Sequence, residues 1–357
     1  MVHTGNKGEW SELYAFLKLL ADGKLYCGDG HLNRYDEKYY PILEIFRDDS
    51  VERNCYKVNA AKRAILISGR TTNVEIPQQT FREEAEHLFN FIRTLRGTSG
   101  NIEIERFMQQ IGSNVIKAKS SDKADIRITI HHLDTGSSPE LGYSIKSKAG
   151  AASTLINSNR DATNFVFRIS GFPVSEINTF NAQKKFEQKF ALLKQHRAKI
   201  SFSSVVSKSL HSNLMMLDLG LERIIAEALC CYYGGGGCNI AEVTSYVEQI
   251  DPLGIKELSS QPMYAYKVKQ WLLAFALGMT PSKLWNGRFY ATGGYIVVKE
   301  DGDIVCYHFF DRNDLEDYLF YNTRFDTPST SRHQFGQLYE KDGALYLKLN
   351  LQVRFKA

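Results

Sequence analysis

With 357 residues and a mass of 40.6 kDa, the chain is about twice the usual domain size, so it has length for two or three cooperating domains and a sizeable core. Lys and Arg number 44 against 40 Asp and Glu, a net charge of +4, with 24% charged and 43% hydrophobic residues. That balance excludes a disordered tail and a histone-like polycation, and it permits nucleic-acid binding only where positive charge gathers on one face. No apolar run approaches the roughly 18 residues of a membrane span, and residues 1–7 are too polar for a signal peptide, so the expectation is a cytoplasmic protein with no membrane partner. The cysteines at 27, 55, 230, 231, 238 and 306 form no CxxC pair and read as reduced core thiols.

In chain order, residues 9–21 carry apolar groups at helical spacing and stop at Asp22-Gly23, a turn signal. Residues 39–76 read as strands and turns, with 64–67 the clearest. A helix is predicted over 78–96, acidic at Glu83-Glu84 and basic at Arg93 and Arg96, in the order that suits the helix dipole; a short one follows at 103–111. Residues 125–131 alternate strictly, with Ile126, Ile128 and Ile130 on one face, and 141–148 alternate in the same way after a polar turn. A third strand covers 164–169. From about 176 to 278 the pattern is mostly helical, including 183–195, 217–233 and 264–277. Lys184, Lys185 and Lys189 read there as a solvated helix face. Strands return at 295–299, 304–310 and 344–354.

Sorting the two alternating strands by face places Asp125, Arg127, Thr129 and His131 opposite the isoleucines, and Ser144, Lys146 and Lys148 opposite Leu141, Tyr143 and Ile145. A carboxylate at the start of one strand and a lysine in the middle of the next suit Mg²⁺ beside a scissile phosphate. The carboxylate oxygens suit a hard cation, and the lysine can orient water and offset charge on phosphorus. The spacing resembles the PD-(D/E)XK nuclease motif, with two departures: Ala124 stands in the proline position, and Ser144 in the place of the acid two before the lysine. A substitute carboxylate is then needed, and Glu9 or Glu12 on the first helix is the candidate. For both, a salt bridge or helix-dipole role is the alternative. Lys148 shares the face of Lys146 and stays its rival. His131 and His132 lack further spaced ligands and read as ordinary strand histidines.

Three further blocks carry a more specific signal: residues 5–12 (GNKGEWSE), residues 142–147 (GYSIKS) running on to 153–157 (STLIN) and 163–165 (TNF), and residues 327–333 (TPSTSRH) with 349–355 (LNLQVRF). In content and order they resemble the HpaII family of type II restriction endonucleases. The resemblance implies an α/β fold with a PD-(D/E)XK-type core, a mixed central sheet flanked by helices, and helical and C-terminal β additions. It implies a Mg²⁺-dependent endonuclease that cuts both strands of double-stranded DNA at a short palindrome, CCGG-like. Carried over by position, Asp125 holds metal, Ser144-Ile145-Lys146 replaces the acid-x-lysine element, and Lys146 is the catalytic lysine. The candidate metal set is Asp125, Ile145 and Glu12.

Short polar side chains after the catalytic strand, Thr154, Asn157, Asn159, Arg160 and Asn164, suit phosphates or base edges, or else a polar loop capping a helix. In the Pro/Ser/Thr-rich stretch near the C-terminus, Arg332 suits a bidentate pair with guanine, beside His333 and Gln334; Arg324 and Arg354 are weaker candidates. Lys148 belongs to the DNA-contact set as well. The expected organisation is 1–115 contributing to the nuclease core, 116–200 as catalytic core strands and helix, 201–290 helical, and 291–357 β-rich and a candidate recognition element. A palindrome presents two equivalent half-sites, so a homodimer is expected, with a companion DNA methyltransferase as a functional partner. The rivals are a strand-nicking, repair-type nuclease on the same core and a non-cleaving, sequence-specific DNA-binding protein. Strand-break counting and metal-dependent cutting separate them.

Overall fold

In the computed structural model, which describes residues 3–48, 53–116, 124–150, 152–258 and 260–356, helix α1 (Lys7–Asp22) forms where the sequence predicts one. Asn6 caps it: its side-chain oxygen accepts from the N–H groups of Gly8 at 2.9 Å and Glu9 at 3.1 Å, and the Glu9 carboxylate accepts from the Asn6 N–H at 2.9 Å. This reciprocal capping box satisfies N–H groups the first turn would leave open. Gly23, at φ +64°, ends the helix in the left-handed conformation that a residue without Cβ adopts cheaply.

In chain order the strands that follow are β1 (Lys24–Gly28), β2 (Arg34–Asp48), β3 (Arg53–Asn59), β4 (Ala64–Ser68) and β5 (Asn73–Pro77), then helices α2 (Gln78–Thr94) and α3 (Ile102–Gln110), then β6 (Ile126–Ile130) and β7 (Glu140–Ser147). Next come β8 (Thr154–Ile156), β9 (Asn164–Ser170), α4 (Ile177–Ala182), α5 (Phe186–Gln195), β10 (Lys199–Val205), α6 (Lys208–Leu217), α7 (Leu221–Tyr233), α8 (Ile240–Ile250) and α9 (Met263–Leu277). The chain finishes with β11 (Gly294–Val298), β12 (Ile304–His308), α10 (Arg312–Tyr321), β13 (Thr323–Phe325), α11 (Thr330–His333), β14 (Leu338–Lys341), β15 (Ala344–Asn350) and β16 (Val353–Phe355). Of the strand-and-turn stretch read at 39–76, residues 49–52 lie outside the described ones.

Two units result, Met1–Ser153 with Phe289–Tyr318, and Thr154–Arg288 with Leu319–Lys356. The first holds a mixed central sheet, ordered among the described residues β1-β12-β11-β7-β6-β2-β3-β4-β5, parallel at β1–β12 and β11–β7 and antiparallel at the other steps. Strand β2 serves twice, its first half pairing with β1 and its second with β6 and β3. Trp10, Leu13, Phe16, Leu17 and Leu20 of α1 are buried in one core with Ile126, Ile128, Ile130, Tyr143, Ile145, Ile296 and Val298. Each such side chain contributes about 1.5–3 kcal/mol by leaving water. The isoleucine face read from the alternation is therefore the core face. The architecture is mixed α/β, with helices packed on a central mixed sheet.

The second unit holds the sheets β10-β9-β15-β14 and β13-β16-β8 with helices α4 to α9. Three details correct the sequence reading. The stretch from 176 to 278 contains a strand, β10, an edge strand whose alternation is broken by a bulge between Phe202 and Ser204. Lys189, read as part of a solvated face, is buried: its ammonium donates to the Gly336 carbonyl and lies 5.0 Å from the Phe180 ring. The Gly336 carbonyl offsets part of the cost of burying the ammonium, and burial pushes its pKa down. The strand read at 304–310 stops at His308, whose Nδ1 accepts from the Phe310 N–H at 2.8 Å and caps a 3₁₀ turn. Among the described residues no helix is long and apolar enough to cross a membrane.

Candidate active site

Asp125 stands one residue before β6, beside the register pair Ile126–Tyr143, so it faces Ser144 across the hairpin. Its backbone N–H donates to the Tyr143 carbonyl at 2.8 Å. Where the β6 ladder stops, its side chain takes over: Oδ2 accepts from the Ile145 N–H at 2.8 Å and from the Ser144 hydroxyl at 3.1 Å. The Lys146 ammonium donates to the same Ser144 oxygen at 3.0 Å. One hydroxyl thus donates to the carboxylate and accepts from the ammonium, which links the two charges through a neutral group. A carboxylate in place of Ser144 would set a second anion against Asp125, so serine leaves the site one negative charge poorer.

Parallel pairing with β11 and then β12 continues the row from Ser144 to Tyr295 and Tyr307, and Tyr318 stacks on Tyr307 with ring centroids 4.1 Å apart. Ser144 is 7% exposed and Tyr295 3%, so the polar face is roofed at this point. Lys146 Nζ lies 5.2 Å from the centre of the Tyr295 ring. Burial, with the Asp125 charge adding to it, pushes the Tyr295 phenol up, and it stays protonated.

Helix α1 docks on β7 through a 2.8 Å hydrogen bond between the Ser11 and Ser147 hydroxyls. Beside this contact is a cavity of about 560 Å³ lined by Lys7, Glu12, Ile145, Lys146, Ser147 and Ser153, among others. Of the two candidate glutamates, Glu9 is engaged in the helix cap and half-buried Glu12 lines the cavity with Lys146. Lys148 follows β7, its backbone N–H bonded to the Val298 carbonyl at 2.9 Å; the lysine that reaches Asp125 through Ser144 is Lys146. Among the described residues no three His, Cys, Asp or Glu side chains gather as a ready metal cluster. The candidate donors Asp125, Glu12 and the Ile145 carbonyl offer only oxygen, the ligand type that a hard cation takes.

The remaining candidates fall in the second unit, apart from Lys148. Thr154 pairs with Arg354 in the small sheet. Asn157, Asn159, Arg160, Arg332 and Gln334 are exposed, with Arg160 also 3.2 Å from Asp161. Asn164, by contrast, is 1% exposed; its amide nitrogen donates to the carbonyls of Arg160 and His333, each at 2.9 Å. His333 Nε2 lies 3.2 Å from the Ser158 hydroxyl. The polar stretches around 160 and 333 are therefore neighbours, which their separation in sequence conceals. Arg324 and Arg354 both bind Asp326 at 3.1 Å. His131 and His132 serve a turn, bonded to Ser138 and to the Thr135 N–H. Sequence reasoning passed over Tyr295 and Asn350. For Asn350 a signal was present: a polar residue with Gln352 inside an apolar alternation, where burial demands a partner.

No solved structure matches the chain. The family model described as HpaII restriction endonuclease matches residues 6–355. The chain is 39% identical over 354 residues to the type II restriction enzyme HpaII of Haemophilus parainfluenzae, which covers 99% of this chain and 98% of that protein. A match of this extent takes in the hairpin of Asp125 and Lys146, the first helix and the C-terminal strands together, and the chain belongs to the HpaII restriction endonuclease family.

Proposed function

We propose that this chain, a type II restriction endonuclease by family, cuts both strands of a short palindromic duplex, CCGG-like, on a PD-(D/E)XK-type core with Lys146 as the catalytic lysine. The enzyme is a site-specific deoxyribonuclease acting on double-stranded DNA, a class of reaction that uses a divalent metal ion. Asp125, Glu12 and the backbone carbonyl of Ile145 would hold that ion, Mg²⁺ in this reading. Bound there, it would supply Lewis-acid stabilisation of charge on the phosphoryl oxygens.

The chain's own residues do the rest. Lys146, tethered to Ser144 and set against the Tyr295 ring, keeps a positive charge at the cavity, where it orients water and offsets charge growing on the phosphate. Asp125 holds Ser144 and the Ile145 N–H, which fixes the strand that carries the lysine. Ser144 and its neighbour Tyr295 across β7 and β11 are both buried, which keeps bulk water from the back of Ser144. Arg160 and Arg332 are the candidates for guanine N7 and O6, with Asn157, Asn159 and Gln334 beside them and Thr154 and Lys148 for phosphates. A palindromic site favours a symmetric homodimer, and a cell carrying the enzyme needs a methyltransferase to protect its own sites.

The observation that carries this reading is the hydrogen-bonded chain Lys146–Ser144–Asp125 on two neighbouring strands. Unmethylated plasmid DNA, incubated with Mg²⁺ and with EDTA and Lys146→Ala as controls, gives discrete fragments whose sequenced ends share one palindrome; EDTA and the substitution abolish them. Single nicks only, or cutting that survives Lys146→Ala, overturns it.

A further inference from the structure

Beneath the two exposed polar stretches of the second unit lies a buried, uncharged hydrogen-bond network, and every polar atom of one amide within it is used. Asn164 opens β9 and Asn350 closes β15; the two are register partners, 1% and 0% exposed. The Asn350 amide nitrogen donates to Asn164 Oδ1 at 2.8 Å and to Thr163 Oγ1 at 3.0 Å. The Asn164 nitrogen in turn donates to the backbone carbonyls of Arg160 and His333. Thr163 Oγ1 also accepts from the Asn159 N–H at 2.8 Å and lies 3.0 Å from the Asn159 carbonyl, closing the turn that presents Arg160. Tyr233 of α7 donates its hydroxyl to the Asn350 carbonyl at 2.9 Å, which ties the network to the helical part of the unit. At its rim the Ser158 hydroxyl meets His333 Nε2 at 3.2 Å and Gln352 Nε2 at 3.4 Å.

We propose that Asn164 and Asn350 are positioning residues for DNA readout, joining the 157–163 turn to the 327–334 segment as one rigid platform that sets the approach of Arg160 and Arg332 to the bases. This rests on the reading of those two stretches as base-contacting. The chemistry demands asparagine at position 164. Aspartate cannot donate to two carbonyls, an aliphatic residue takes away the bonds to both carbonyls and to one Asn350 N–H, and glutamine is one methylene too long for both bonds at once. Because unmade bonds of this kind are expensive where both amides are buried, the Asn164–Asn350 bonds keep the two backbones from drifting independently, and loss of a rim bond loosens them only in part. A bidentate arginine–guanine pair tolerates little misplacement, so the network acts on discrimination between the recognition site and its one-base variants rather than on the hydrolytic step.

The test measures kcat and KM on a duplex with the recognition site and on duplexes with one base pair changed, for the full chain carrying Asn164→Asp, Arg160→Ala, Arg332→Ala and their combinations. Asn164→Asp is expected to lower the cognate-to-variant ratio of kcat/KM by about tenfold, mostly through KM, with kcat within about threefold. With both arginines already replaced, Asn164→Asp adds nothing further to the loss of discrimination, because its effect passes through them. An equal loss on every duplex with the ratio intact, or a full additional loss without the arginines, overturns the proposal. Arginine substitutions that leave the ratio unchanged overturn the base-contact reading itself, which separates the two failures. Should Asn164→Asp fail to melt cooperatively, Ser158→Ala, which removes only the rim bonds to His333 and Gln352, is read instead. Its expected fall in the ratio is about two- to threefold, and an unchanged ratio overturns the proposal.

Discussion

In the first unit, Asp125, Ser144 and Lys146 join a carboxylate to an ammonium through one hydroxyl, at the edge of a cavity of about 560 Å³ lined by Lys146 and Glu12. In the second, Thr163, Asn164 and Asn350 carry no charge, are buried, and bond to backbone and to each other. The contrast follows from the role proposed for each cluster. Groups that meet a phosphate and a cation must keep charge and open coordination, so their fixed bonds are few and they border space. Groups that hold backbone in place work best neutral and fully bonded, because a buried charge would cost more than the positions it fixes. Chemistry and positioning thus leave different hydrogen-bond signatures.

The largest test of that contrast is Lys146→Ala. Removing the ammonium is expected to slow single-turnover cleavage at saturating Mg²⁺ by about 10³-fold, with duplex binding in Ca²⁺ nearly unchanged. If Lys148→Ala gives that loss and Lys146→Ala does not, the hydroxyl-linked pair is structural. The second test is pH. His308, in the first unit, is wholly buried, and burial pushes its pKa down to about 4. Its unfolded value is about 6.5, so as pH falls between these limits the unfolded chain takes up a proton that the folded chain refuses. This contribution to stability is complete above about pH 7 and drains away toward pH 4, a loss of about 3 kcal/mol. Urea unfolding across that range should give a flatter pH profile for His308→Phe than for the native chain; parallel profiles would refute the assignment. Asn350→Ala, whose amide nitrogen bonds only to the non-titrating Thr163 and Asn164 side chains, is expected to lower stability by the same amount at both ends of the range.

The sequence carried the hairpin well, because a strand's period of two reports its faces directly: Ile126, Ile128 and Ile130 are in the core, and Asp125 faces Ser144. It did not show Tyr295 beside Ser144, since a parallel pairing made by a long connection leaves no local pattern. Nor does residue type separate a buried asparagine from one facing DNA. Asn164 read as a contact residue, and its partner Asn350 lies 186 residues away, a distance over which one sequence gives no pairing signal. Lys189 misled for a related reason, because the carbonyl that receives its ammonium belongs to Gly336, 147 residues on. Local chemistry was legible where its partners were local.

Smaller effects sharpen the same contrast. Ser144→Ala cuts the link between ammonium and carboxylate while leaving the Ile145 N–H on Asp125, and is expected to slow cleavage about tenfold, measured in single turnovers. If the rate is unchanged, the serine only fills the space of the missing acid.

The smallest expected effect decides between the two glutamates of α1. Glu9 accepts from the Asn6 N–H and completes the capping box, so Glu9→Ala should cost about 1 kcal/mol, a melting shift of a few degrees, and leave cleavage within about twofold. Glu12→Gln should do the reverse, since Glu12 lines the cavity with Ile145 and Lys146 and takes no part in the cap. A Glu9→Ala enzyme that melts normally but no longer cuts would move the missing carboxylate one helical turn toward the N-terminus. The capping box would then have to open before the metal could bind.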